Sequence, residues 1–166
     1  YDEIEILNKF VGLFKFKYKN TLKFIFTFGD VPPDTPIMKF LLQPVVENAI
    51  KYGKRGKTPM TISVKFLTDG DNLVIKIEND GEPIKKERIA EIYSVLKGSD
   101  SFDDIARMTA PKNGYKNAAA GGSSGVGLKN VYDRIKLYYG EKGDLIIDSD
   151  EELRLTSVTV VIPESF

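Results

Sequence analysis

Three short stretches of this 166-residue chain carry residue types and spacings that could do chemistry. The first is Gln43-Pro44-Val45-Val46-Glu47-Asn48-Ala49-Ile50-Lys51-Tyr52-Gly53. On a helix, Asn48, Lys51 and Tyr52 stand three and four residues apart and share one face. An amide oxygen is a hard ligand suited to magnesium, and a lysine ammonium beside it suits a phosphate. The same spacing also allows a plain surface pair between Glu47 and Lys51. The second stretch is Glu78-Asn79-Asp80-Gly81-Glu82-Pro83, which follows an alternating apolar run. A short polar side chain there, with a glycine that admits a ligand close to the backbone, could read a base edge. The same residues are also strong turn formers. The third is Gly121-Gly122-Ser123-Ser124-Gly125-Val126-Gly127-Leu128-Lys129-Asn130, which opens a helix. Bare amides and the helix dipole attract an anion at such a terminus. The residue order fits neither a Walker A loop nor a dinucleotide fingerprint, and a hinge without a ligand is the alternative.

The elements that must position these groups follow from periodicity. Ile4, Leu7, Val11, Phe14 and Tyr18 are spaced by threes and fours, which predicts a helix; its end, from Phe14 to Tyr18, also fits a strand. Leu22, Phe24, Phe26 and Phe28 alternate and predict a strand. Thr35-Pro36 predicts the start of a second helix, with Ile37, Leu41, Val45 and Ala49 as its buried stripe and Gly53 as its end. Two alternating runs, Ile62 to Phe66 and Leu73 to Ile77, flank Asp69-Gly70-Asp71-Asn72 and predict an antiparallel hairpin. Further helices are predicted around Ile89 to Leu96 and from Leu128 to Gly140, with strands at 145–147 and 158–162. Residues 99–124 show no period, a length that marks a functional lid or a tether. Mixed order with hairpins predicts an α+β fold, a two-layer α/β sandwich whose mixed, mostly antiparallel sheet carries helices on one face.

Composition narrows the chemistry. The 24 basic and 24 acidic residues cancel, so no charge footprint for nucleic acid or anionic lipid shows at the level of the chain. The absence of cysteine excludes disulfides and thiolate nucleophiles. The absence of histidine excludes an imidazole base, imidazole-held metals and a phosphohistidine on this chain. No apolar run approaches the 18 residues or so of a spanning helix. A start at Tyr1 reads as a piece of something longer.

The order of the three stretches is more specific than any one of them. An Asn-bearing helix, a hairpin ending in Asn-Asp-Gly, a lid and a Gly-x-Gly-Leu helix together resemble the Bergerat-type (GHKL) ATP-binding fold. That fold is shared by histidine kinases, ninety-kilodalton heat-shock chaperones, type II topoisomerases and MutL proteins. Leu42 to Gly53 is similar to the N box of LytS/YesM-like sensor histidine kinases. Gly125-Val126-Gly127-Leu128-Lys129-Asn130-Val131-Tyr132-Asp133-Arg134-Ile135 is similar to that family's glycine box, and Tyr138-Tyr139-Gly140 to its continuation.

The resemblance implies a catalytic ATP-binding domain over 20–166, with a lid at about 99–124. It also implies that 1–19 is the tail of an upstream helical domain that dimerises and carries the phosphoacceptor histidine. Asn48 would hold the Mg2+ that bridges the ATP phosphates, with Glu47 orienting that shell, Lys51 touching a phosphate and Tyr52 near the nucleotide. Asn79 stands where the superfamily has an aspartate for the adenine amino group. Gly81 keeps the box's middle glycine, and Pro83 replaces its last. Gly125 and Gly127 would turn helix amides to the phosphates, with Leu128 and Asn130 just inside. The implied partners are the upstream domain, in a homodimer, and a response regulator, with no nucleic acid. The implied setting is a cytoplasmic domain of a membrane-anchored bacterial sensor. A regulatory module with little kinase activity, or an ATPase switch in which Glu47 activates water, are the alternatives.

Overall fold

A computed structural model describes residues 2–32, 35–53, 56–98 and 124–163. The predicted lid therefore lies, up to residue 123, outside the described residues. The elements are α1 (Asp2–Tyr18), β1 (Leu22–Phe28), α2 (Gln43–Gly53), β2 (Met60–Asp69), β3 (Asn72–Asn79), α3 (Lys86–Lys97), α4 (Ser124–Tyr139), β4 (Asp144–Asp150) and β5 (Leu155–Pro163). The five strands form one sheet in the order β1-β2-β3-β5-β4. Only β1 and β2 run parallel, joined by the crossover through α2; the other pairs are antiparallel. The two-layer α+β architecture and the mostly antiparallel sheet are those the patterning predicts.

One phase of every strand is buried. Phe24, Ile62, Val64, Phe66, Leu73, Ile75, Ile77, Leu145, Val158, Val160 and Ile162 meet Leu7, Val11, Val45, Val46, Ile50, Leu96, Val131 and Ile135 from the helices. Each such side chain contributes roughly 1.5–3 kcal/mol on burial, so this face holds the layers together. The opposite face is mixed, with Lys23 and Thr27 exposed beside Ile25, Leu67 and Ile146, and carries one buried acid. Glu78 lies between Lys65 at 2.5 Å and Lys76 at 2.8 Å. Burial alone would raise its carboxyl, but the hydrogen bonds and charges of the two lysines outweigh that and hold it below the ordinary range.

The Phe14 to Tyr18 stretch is helical, and its aromatic alternation serves i,i+4 stacking: Phe10 and Phe14 rings lie 4.8 Å apart, Phe14 and Tyr18 rings 6.1 Å. Thr21 Oγ1 donates to the Tyr18 carbonyl at 2.9 Å and closes the last turn. Leu7 and Val11 are buried in the core, whereas Leu13 and Phe16 are 71% and 80% exposed. Gly12, between them, is exposed, and a Cβ there would meet nothing within 4 Å. Gly12→Ala is therefore expected to stabilise the fold by about 0.5–1 kcal/mol, read as a rise in thermal midpoint.

The second helix does not begin at Thr35-Pro36. It begins at Gln43, and residues 35–42 are irregular, so Ile37, Met38 and Leu41 pack without being helical. The reason lies far away in sequence. The Glu3 carboxylate of α1 accepts the amides of Phe40 at 2.5 Å and Leu42 at 2.7 Å. The Arg134 guanidinium of α4 donates to the Lys39 and Phe40 carbonyls at 2.7 and 2.8 Å. Phe40 is held at φ 59°, a left-handed conformation that no helix accommodates. The freed Leu42 carbonyl then takes the first helical bond, from Val46 at 3.0 Å.

The helix predicted from Leu128 begins four residues earlier, at Ser124, while the turn and stop signals agree. Gly70, at φ 58°, makes the two-residue hairpin turn, Gly98 follows α3, and Gly140, at φ 59°, ends α4. On β4, at the sheet's edge, the Ile147 amide donates to the Tyr93 hydroxyl at 2.7 Å, which covers part of an open strand edge from α3.

Candidate functional site

Between α2, α3 and α4 and the β3, β4 and β5 strands below them lies a cleft enclosing a cavity of about 100 Å³. Its walls are apolar: Ile77, Ile84, Ile92, Leu128, Ile147 and Val158. Its polar groups are few: Asn48 and Tyr52 from α2, Asn79 from β3, Thr156 from β5, Glu82 and Arg88. An apolar slot with a small set of convergent polar groups is how a small molecule is bound and oriented.

The floor is built by register. Asn79 and Thr156 are directly opposed on β3 and β5, and both are buried. Thr156 Oγ1 shares a 2.8 Å hydrogen bond with Ser149 Oγ, which also accepts the Ile84 amide at 2.9 Å. Asp80 Oδ1 accepts the Thr61 amide at 2.5 Å, and the Asp80 amide donates to the Thr61 carbonyl at 3.3 Å. The turn is then joined to the end of α2, because the Glu82 amide donates to the Gly53 carbonyl at 3.0 Å. Gly81 is required by this approach: a Cβ on it would collide with the Gly53 carbonyl oxygen and stand 2.5 Å from Met60 Sδ. The Asn-Asp-Gly stretch is both a turn and a wall of the site.

On the α2 side, Asn48 Nδ2 donates to the Pro44 carbonyl at 2.9 Å. The nitrogen is thereby committed to the helix, and Oδ1 is the amide atom able to ligate a cation. A Cβ on Gly127 would come within 3.3 Å of that nitrogen, so the glycine lets α4 approach α2. Tyr52 lines the cleft at its exposed mouth, with the Lys51 ammonium 5.6 Å from its ring centroid. Of the residues singled out from sequence, Asn48, Tyr52, Asn79 and Leu128 are brought together on the cleft wall, and Gly81 and Gly127 make its close approaches. Glu47, Lys51 and Asn130 are exposed beside it, and Gly125 lies in the first turn of α4. Arg88 and Thr156 were not anticipated. Thr156 had a signal, a hydroxyl in phase with the apolar Val158, Val160 and Ile162; Arg88, which pairs with Glu91 at 2.7 Å, had none.

Residues 34–165 match the family model described as histidine kinase-, DNA gyrase B- and HSP90-like ATPase. The chain belongs to this ATPase family. Its relatives include the sensor histidine kinase YesM of Bacillus subtilis, 27% identical over 98% of this chain and 23% of that protein. The sensor protein kinase HptS of Staphylococcus aureus (strain bovine RF122 / ET3-1) is 21% identical over 92% of this chain and 25% of that protein. The ATPase domain thus spans about a quarter of the length of these curated relatives. Its fold is that of the nucleotide-free catalytic domain of the histidine kinase ThkA, with a TM-score of 0.63 at 18% identity, covering 99% of this chain and 93% of that one. Among the described residues, no helix of the ATPase domain is long and apolar enough to cross a membrane.

Proposed function

We propose that this ATPase domain is the catalytic part of a two-component sensor histidine kinase that uses Mg-ATP. The observation that carries this reading is the convergence of Asn48, Tyr52, Asn79 and Leu128, from three separate stretches, on one apolar cleft. Ile77, Ile147 and Val158 offer flat apolar contact to a purine, and Asn79 and Thr156 offer the polar atoms that fix its edge. Asn48 Oδ1 faces the requirement of a hard cation. Among the described residues no cluster of three or more acidic side chains could cage a cation. Asn48 would therefore share magnesium with phosphate oxygens, the usual mode for that ion, and the metal would neutralise phosphate charge.

The chain's own contribution is positioning and charge. Lys51 and the amides that open α4 would meet the phosphates, and Glu47 would orient the group around Asn48. In the transfer, the bond from the γ-phosphorus to the bridging oxygen of ADP breaks and a bond to an imidazole nitrogen forms. That imidazole must come from another segment, since this chain has no histidine. We place it on an upstream helical domain continuous with α1, in a homodimer, from which a response regulator's aspartate takes the phosphoryl group; the assembly would be anchored at a membrane by other segments. Residues 99–124 would form the lid.

The test is calorimetric titration of ATP and ADP, with and without magnesium, into the chain and into Asn48→Ala. Micromolar binding is expected for the wild type. Asn48→Ala should weaken it about tenfold or more when magnesium is present and much less when it is absent, the cost of losing one ligand to a charged centre. No binding to the folded wild-type chain would overturn the proposal. The uncharged Asn79 favours one second reading, a regulatory nucleotide-binding module. Tight ATP binding with substoichiometric transfer to a supplied acceptor domain would support that module instead.

A further inference from the structure

Asn79 poses a problem that a carboxylate at the same place would not. Its amide has an acceptor end and a donor end of nearly equal size, and which end faces the cleft decides what can be recognised. The side chain is only 5% exposed, so the choice is made by protein neighbours. Nδ2 lies 4.0 Å from Met60 Sδ, a weak acceptor that has no hydrogen to give. Met60 is itself 3% exposed and packed between two glycines. A Cβ on Gly53 or Gly81 would stand 2.7 or 2.5 Å from the sulfur, so the thioether fills the space those glycines leave. The reversed amide would set the Asn79 oxygen lone pairs against the sulfur lone pairs.

Resting on the reading of the cleft as a nucleotide site, we propose that Met60 is a positioning residue for base selection. Its thioether holds the Asn79 amide with nitrogen to the wall and oxygen to the cleft, so the site takes 6-aminopurine nucleotides and rejects 6-oxopurine ones. An exocyclic amino group donates to the Asn79 oxygen. A 6-oxo group presents lone pairs to the same oxygen, and the N1–H that accompanies it lies one ring position away, out of line for a base seated as a 6-aminopurine is. A site built to hydrogen-bond one group discriminates strongly against an analogue that lacks it. Were the amide free to turn, Nδ2 would serve the 6-oxo group and the preference would collapse.

The experiment is calorimetric titration of ATP and inosine triphosphate, which differ in the 6-substituent and in the proton that accompanies it on N1, into four chains. These are the wild type, Met60→Leu, Asn79→Asp and the double variant. The wild type is expected to prefer ATP about tenfold or more. Met60→Leu nearly conserves volume and removes the sulfur. It should narrow that preference several-fold, chiefly by strengthening the inosine nucleotide. In the Asn79→Asp background the same change should leave the ratio where it was, because a carboxylate has no donor end to turn. An unchanged ratio in folded Met60→Leu overturns the proposal, as does equal narrowing in both backgrounds. Should leucine not fold, norleucine in place of methionine removes the sulfur with the shape kept and is read by the same ratio. A wild type that binds neither nucleotide overturns the nucleotide site itself, a result distinct from equal binding of both.

Discussion

Gly81→Ala is expected to be among the most damaging single-methyl changes the chain can undergo. The added Cβ would point into the Gly53 carbonyl oxygen and stand 2.6 Å from the Gly53 carbonyl carbon and 2.5 Å from Met60 Sδ. Two of these three neighbours are backbone atoms, which cannot turn away as a side-chain tip can. Nor can the segments part cheaply, because the Glu82 amide bonds to that same carbonyl at 3.0 Å. Overpacking of this kind costs about 3 kcal/mol, and at this chain length the thermal midpoint should fall by roughly 6–12 °C. ATP affinity should fall with it, since α2, displaced at its Gly53 end, carries Tyr52 next to that end and Asn48 one turn before it. The comparison is Gly70→Ala in the hairpin turn, where φ is 58° but a Cβ would meet nothing within 4 Å. That change should cost about 1 kcal/mol from backbone conformation alone and leave binding intact. Equal losses in the two variants would refute the contact between the turn and α2.

The contrast between these glycines shows what a sequence can and cannot disclose. Asn48 and Tyr52 were legible as candidates because helical spacing puts them on one face, although the same spacing also selects Lys51, which is exposed beside the cleft. Asn79 was legible because it ends a strand and a glycine, Gly81, stands two residues on. The sheet's inner face was legible because its strands alternate apolar and polar residues. What pattern could not supply was which partner each group meets. Gly81 and Gly70 read alike as turn residues, yet only one has another backbone against it. Thr156 lines the cleft because β5 pairs with β3 in a register that opposes it to Asn79. Arg88 lines it because α3 packs along its wall. The parallel pairing of β1 with β2 depends on the crossover through α2. The late start of α2 was hidden for the same reason. Thr35-Pro36 has good local helix-start chemistry, and it is overruled by Glu3 and Arg134, groups brought in from α1 and α4.

Glu3 therefore carries the other large effect. Its carboxylate is 1% exposed and takes two backbone amides from the segment that leads into α2. Glu3→Ala strands the Leu42 donor in a buried place and the Phe40 donor in a half-buried one; at about 1–3 kcal/mol for a buried donor and less for the other, a loss of roughly 3 kcal/mol is expected. Glu3→Gln keeps one acceptor oxygen and the shape and should lose about half as much. The acid's charge state adds a pH dependence that identifies it. Burial raises the Glu3 carboxyl from its ordinary value of 4.5, although the Leu42, Phe40 and Leu41 amides and Arg134 pull the other way. The folded chain thus holds this proton more tightly than the unfolded one. The stabilisation is fully present below pH 4.5 and is lost as pH rises through the folded value. Glu78 has the opposite sign. Held below 4.5 by Lys65 and Lys76, its contribution is present above that value and is lost as pH falls through its folded one. The two windows lie on opposite sides of the ordinary carboxyl range, so chemical denaturation as a function of pH separates them. Wild type minus Glu3→Gln should show a stability difference that shrinks as pH rises above 4.5, while wild type minus Glu78→Gln should show one that shrinks as pH falls below it. A Glu3→Gln difference that is flat above 4.5 would mean the carboxylate is not shielded by α1 and the Phe40 turn as the geometry requires.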